Sequence, residues 1–155
     1  MTLSLVRILG DGTIEGAPLD LAAMPVDVLP ATVDLYRSRG YEPPWIGYLA
    51  AEAGRAVGTC AFASPPAERR VEIAYFTFPG HEGRGVATAM ARSLLALARA
   101  VDPSLTLIAY TLPKQSASTR ILERLGFQCH GLHDHPEDGW VWDWRRGLLA
   151  AQPGE

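Results

Sequence analysis

Residues 78–88 read Phe-Pro-Gly-His-Glu-Gly-Arg-Gly-Val-Ala-Thr, a glycine-rich turn wedged between a strand pattern and a long amphipathic helix pattern. Gly83 and Gly85 carry no Cβ, so the backbone can bend tightly there, approach an anion closely and aim several N–H groups at it where the helix begins. A pyrophosphate suits such a turn. Any fold for this chain must therefore hold a strand–turn–helix unit with its turn open to a ligand.

The flanking segments supply that unit. Residues 71–78 alternate as a strand, with Val71, Ile73, Tyr75 and Thr77 on one face and Glu72, Ala74, Phe76 and Phe78 on the other. After the turn, Val86, Met90, Leu94, Leu97 and Val101 form one apolar helical stripe that Asp102-Pro103 ends. A buried strand is expected over 105–110 and an amphipathic helix over 115–125, closed by Gly126; 127–132 and 140–144 flank the turn Pro136-Glu137-Asp138-Gly139 as a final hairpin. Towards the N-terminus, 3–9 reads as a strand. Residues 26–39 read as short helices with a start broken by Pro25 and Pro30, and 45–50 with 55–63 as a hairpin around Glu52-Ala53-Gly54. This order predicts an α/β fold, a mixed sheet flanked by helices, in one domain over 1–147 with a flexible tail over 148–155.

Bulk properties narrow the partners. The chain has 155 residues, 48% of them hydrophobic and 20% charged, with a formal net charge of −3; its arginines are scattered. That composition leaves no electrostatic footprint for nucleic acid or an anionic membrane. Cys60 and Cys129 lie on separate apolar segments without CxxC spacing, which predicts buried reduced thiols and a cytoplasmic protein. His133 and His135 alternate onto one strand face beside Asp134, an incomplete ligand set for a metal; the expectation is no metal. Trp140, Trp142 and Trp144 share a face at sheet period, and a tryptophan strand at the end of the sheet would suit a homodimer.

The stretch Val71-Glu72-Ile73-Ala74-Tyr75 through Glu82-Gly83-Arg84-Gly85-Val86-Ala87-Thr88 resembles the signature of the Gcn5-related N-acetyltransferases, in which a pattern of the type Gln/Arg-x-x-Gly-x-Gly/Ala precedes the central helix. The likeness continues through Gln115-Ser116-Ala117-Ser118 and Leu125-Gly126-Phe127, similar to the Asn-x-x-Ser and Leu-Gly-Phe segments of members related to the ribosomal-protein N-acetyltransferases. It covers residues 45–145 well and the N-terminal third by order of elements.

The resemblance implies the acyl-CoA N-acyltransferase fold, acetyl-CoA as co-substrate and an amine as acceptor. It implies a cofactor site built from Tyr75, Phe76 and Thr77, whose backbone pairs with the linear arm, and from Glu82, Gly83, Arg84, Gly85, Val86, Ala87 and Thr88, with Gln115 and Ser118 from the second helix. Glu72 matches the strand glutamate that acts as a base through water; a solvated carboxylate attracting a cationic acceptor is the other reading. Three positions depart from the pattern. Glu82 puts a carboxylate where Gln or Arg is usual, Gln115 stands for Asn, and Leu122 occupies the place of the usual tyrosine acid. Ser118 and Tyr110 then remain as hydrogen-bond donors for the thiolate, against ordinary helix-start and packing roles. A degenerate acyl-CoA-binding regulator and a dinucleotide-binding oxidoreductase are the alternatives; against the latter, Thr88 stands where a third glycine belongs.

Overall fold

The computed structural model of the protein describes residues 2–149. Its elements run β1 (Ser4–Arg7), α1 (Val28–Arg39), β2 (Gly47–Glu52), β3 (Arg55–Phe62), β4 (Arg70–Thr77), α2 (Val86–Val101), β5 (Thr106–Thr111), α3 (Ala117–Arg124), β6 (Gln128–His135) and β7 (Gly139–Gly147). The strands form one seven-stranded sheet in the order β1-β2-β3-β4-β5-β7-β6. It is mixed because β4 and β5 pair in parallel while the other neighbours are antiparallel.

Helix α1 is continuous from Val28, where a broken start was expected. Pro30 falls in the first turn, where a backbone N–H has no intrahelical partner to lose. Tyr36 ties the helix to the sheet: its hydroxyl donates to Ile8 O at 2.7 Å and accepts from Gly47 N at 2.9 Å. Helix α2 covers the opposite face. Its buried side is Val86, Met90, Ala91, Leu94, Leu95 and Ala98, whereas Val101, expected in the stripe, is 53% exposed. Alanines carry part of this contact, and a stripe drawn through the larger residues drifts off the buried face. Met90 packs so closely on β3 that a Cβ at Gly58 would lie 2.9 Å from its thioether and from Phe76 O.

Side-chain alternation then sorts the residues of interest onto two faces. Val71, Ile73 and Tyr75 of β4 lie on the α2 side; Glu72, Ala74 and Phe76 lie on the α1 side, opposite Ala61 and Thr59 of β3. The parallel β4–β5 ladder holds only three pairs, Arg70↔Thr106, Val71↔Leu107 and Glu72↔Ile108. Beyond Glu72 the two strands part, and residues 73–77 keep a partner only in β3.

Two expectations about the surface fail. The tryptophan strand β7 lies between β5 and β6, not at the end of the sheet; Trp144 is buried, and its indole N–H donates to Thr111 Oγ1 at 2.9 Å. The basis for a homodimer through that strand is thereby removed. Cys129, expected to be buried, is exposed on the edge strand β6 next to a register shift, while Cys60 is in the core. The expected tail begins at residue 148. Leu148 is buried and donates its N–H to Leu105 O at 3.0 Å; residues 150–155 lie outside the described residues.

Candidate active site

The glycine turn places Gly83 and Gly85 at φ 73° and 84°, and Gly85 is the N-cap of α2. That left-handed geometry is costly for residues with a Cβ. No side chain caps α2 and no acidic residue occupies its first turn, so the N–H groups of Val86, Ala87 and Thr88 have no intrahelical acceptor and carry the positive end of the helix dipole. A Cβ added at Gly83 or Gly85 would meet nothing within 4 Å. The turn thus borders open space, a cavity of about 400 Å³ closed on its other side by α3.

Of the residues expected to bind cofactor, Thr77, Glu82, Gly83, Gly85, Val86, Ala87, Thr88 and Ser118 line this one cavity. Arg120 and Arg124 join them from α3 and had not been singled out; their i, i+4 spacing on a helix facing the glycine turn was the signal available. Glu82 folds back on its own turn, where Oε2 accepts from Gly80 N at 3.0 Å. Arg84 lies outside the lining. Its Nη1 and Nη2 each reach Glu52 Oε1 at 3.2 Å, and Nη2 donates to His81 Nδ1 at 2.9 Å. Gln115 is likewise engaged, its Oε1 accepting from the buried Thr119 hydroxyl at 3.0 Å beside the capping box that starts α3. Neither the guanidinium nor this amide oxygen is free in the way the motif suggested.

Residues 75–77 form the wall between the two faces. These residues of β4 have no β5 partner, which leaves backbone groups on that side without a ladder. The Tyr75 phenol points to α3; burial pushes it up to about 12, opposed by a hydrogen-bonding contact with Ser118. At the place where family members carry a tyrosine, Leu122 is fully buried.

On the α1 face the register brings a second, polar group together. Glu72 lies beside Ile108, and Tyr110, two residues on, lies opposite Asp143. The Tyr110 ring stacks on His133 at 5.1 Å and 14°, and meets His135 edge-on at 5.1 Å. His135 Nδ1 accepts from the N–H groups of Glu137 and Asp138, both at 3.2 Å. Asp138 Oδ2 approaches the same nitrogen at 3.4 Å. Burial raises the Glu72 carboxyl above the usual carboxylate range; His135 and Arg39 pull the other way. Tyr110 is also raised, first by burial, then by the charges of Asp143 and Glu72. The three candidate catalytic residues therefore divide: Glu72 and Tyr110 together on the α1 face, Ser118 with Tyr75 on the α2 and α3 face. Among the described residues no group of three or more His, Cys, Asp or Glu side chains is placed to hold a metal ion.

Residues 21–128 match the family model described as an acetyltransferase (GNAT) domain. Similar solved structures include an N-acetyltransferase from Staphylococcus aureus Mu50, at 18% identity and TM-score 0.61 over 81% of this chain and 78% of that one. Another, from Salmonella typhimurium with its cofactor acetyl-CoA, has 21% identity and TM-score 0.61 over 81% and 77%. The ribosomal-protein-S5-alanine acetyltransferase from Vibrio fischeri has 13% identity and TM-score 0.62 over 82% and 72%. At these identities the likeness is one of fold. No curated protein matches the chain. Because the family model spans well over half of the sequence, the chain belongs to the GNAT acetyltransferases, acetyl-CoA-dependent transferases built on this mixed sheet.

Proposed function

We propose that the protein transfers the acetyl group of acetyl-CoA directly to a primary amine, of a small molecule or a protein N-terminus, with residues 1–147 acting as one cytoplasmic domain. The observation that carries this reading is the bare edge of β4 at residues 73–77, set between the glycine-turn cavity on one face and Glu72 on the other. Acetyl-CoA supplies the acetyl group as a thioester. The N–H groups of Val86, Ala87 and Thr88 hold its pyrophosphate, with charge from Arg120 and Arg124 rather than from Arg84. Backbone of Tyr75, Phe76 and Thr77 pairs with the amides of its arm as an added strand would.

Glu72 takes the proton of the incoming ammonium, directly or through water, and its raised carboxyl makes it a better base than a solvated glutamate. Ser118 and Tyr110 are the hydroxyls available to the departing thiolate. A covalent route through cysteine has no support: burial pushes the Cys60 thiol up to about 12, and Cys129 sits exposed on an edge strand. The buried Leu122 favours one second reading, an acyl-CoA-binding regulator without turnover.

Calorimetric titration with acetyl-CoA, with NAD as control ligand, tests the cofactor, and an amine panel tests turnover. Saturable one-to-one binding of acetyl-CoA with acetylation of at least one amine is the expected result. Binding without turnover, unchanged in Glu72→Gln, would give the regulator; no binding would end the transferase reading.

A further inference from the structure

A groove of about 630 Å³ runs between the N-terminal half of α1 and strands β3 and β4, on the same face as Glu72. Val28, Ala31 and Leu35 wall it from the helix, with Ala61, Ala74 and the half-exposed ring of Phe76 from the sheet. Its threonine hydroxyls have already given their protons. Thr32 Oγ1 donates to Val28 O at 2.8 Å and Thr59 Oγ1 to Tyr48 O at 2.9 Å. Asp27 is the charged residue of the lining, and it is exposed to solvent at the N-cap of α1. Glu72 stands two residues before Ala74 on the same side of β4, at the end of the row Glu72, Ala74, Phe76.

Resting on the transferase reading, we propose that the acceptor is a small monoamine with an apolar alkyl or arylalkyl body, its ammonium at Glu72 and its body laid along Ala74 and Phe76 in this groove. The charge pattern decides between amine classes. A single cation meets the one half-buried carboxylate on the row, and the rest of the molecule meets carbon. A polyamine would lay its second ammonium against Ala61, Ala74 and Phe76, where an unpaired charge is costly, and the carboxylate of the lining, Asp27, is solvent-exposed and screened. A polyhydroxylated amine would lose its water to a mostly carbon surface whose threonine hydroxyls have no proton left to donate.

The test measures initial rates for propylamine, butylamine, hexylamine, 2-phenylethylamine, spermidine and a peptide with a free apolar N-terminus, with acetyl-CoA affinity followed separately by calorimetry. From propyl to hexyl, kcat/KM should climb by up to about fourfold per methylene, and hexylamine should exceed spermidine by about tenfold or more. Ala31→Trp, at an exposed helix position, should fill the groove and lower kcat/KM for hexylamine about tenfold, with propylamine and acetyl-CoA affinity little changed. A flat series, a preference for spermidine, or a peptide that outruns hexylamine overturns the proposal. So does a loss of acetyl-CoA affinity in Ala31→Trp, which would give the groove to the cofactor arm. Failure of the unmodified protein to bind acetyl-CoA would overturn the transferase reading as well, and calorimetry shows that without any amine present.

Discussion

Glu72 lies half-buried with its carboxyl held above the usual range by desolvation, and that has opposite consequences for activity and stability. As a base it must be ionised, so kcat/KM for an amine of low pKa should fall as pH drops through the raised value, above the range of an ordinary glutamate. Glu72→Gln should remove that limb and lower turnover by about 10²-fold or more, with acetyl-CoA affinity preserved. In stability the folded state holds the Glu72 proton more tightly than the unfolded chain. Stability is therefore lost as pH rises from the unfolded value through the folded one, and Glu72→Gln should melt at a higher temperature than the parent at neutral pH. A variant that loses both activity and Tm would point to a structural carboxylate. Tyr36 is the contrasting case, since it donates and accepts inside the core. Tyr36→Phe leaves Ile8 O and Gly47 N without that hydroxyl and should cost about 1–3 kcal/mol in denaturant unfolding. Sequence identified Glu72 through its strand motif, yet could not foresee where Arg84, Glu82 and Gln115 would point. Those side chains answer to neighbours such as Glu52 and Thr119, one of them distant along the chain, which no local pattern records.

Helix starts concentrate the site's chemistry at the next scale. At Gly85 the left-handed φ rather than crowding limits substitution, because an added Cβ would enter open space. Gly85→Ala should thus destabilise by about 1–2 kcal/mol. Gly85→Asp adds a negative charge at the cradle and should also weaken acetyl-CoA binding about tenfold or more, as read by calorimetry. The capping box of α3 sets the position of Ser118, Arg120 and Arg124 together, so Ser116→Ala should cost about 1 kcal/mol and raise the Kd for acetyl-CoA as the first turn frays. Periodicity located α2 and α3 because their apolar faces are regular and their ends are marked by glycine, serine and Asp-Pro. It misplaced Val101, which is exposed, and passed over Ala91 and Ala98, which carry packing, because alanine leaves little trace in a hydrophobic pattern.

For the molecule as a whole, the decisive feature is the parting of β4 from β5. Alternate amides among residues 74–77 should exchange rapidly with solvent in the free protein and slow on addition of acetyl-CoA, in a hydrogen-exchange experiment that leaves β2 and β3 nearly unchanged. The order of elements was legible in sequence, and with it the mixed sheet. The parting was not, because the alternation of β4 continues unbroken through Tyr75 and Phe76 whether or not a neighbour is present. Nor could the hairpin of β6 and β7 reveal which of its strands would pair with β5; the burial of Trp144 and Arg146 settles that only in three dimensions. The three-pair parallel ladder also bears on how the chain assembles. The meander β1 to β4 and the group β5, β7, β6 are joined within the sheet only through Arg70, Val71 and Glu72. The hairpins β2–β3, β3–β4 and β6–β7 close short stretches of chain, whereas the seam, like β1–β2 and β5–β7, joins residues about 30 or more apart. Refolding should therefore form those three hairpins first and the long-range pairings, the seam among them, afterwards.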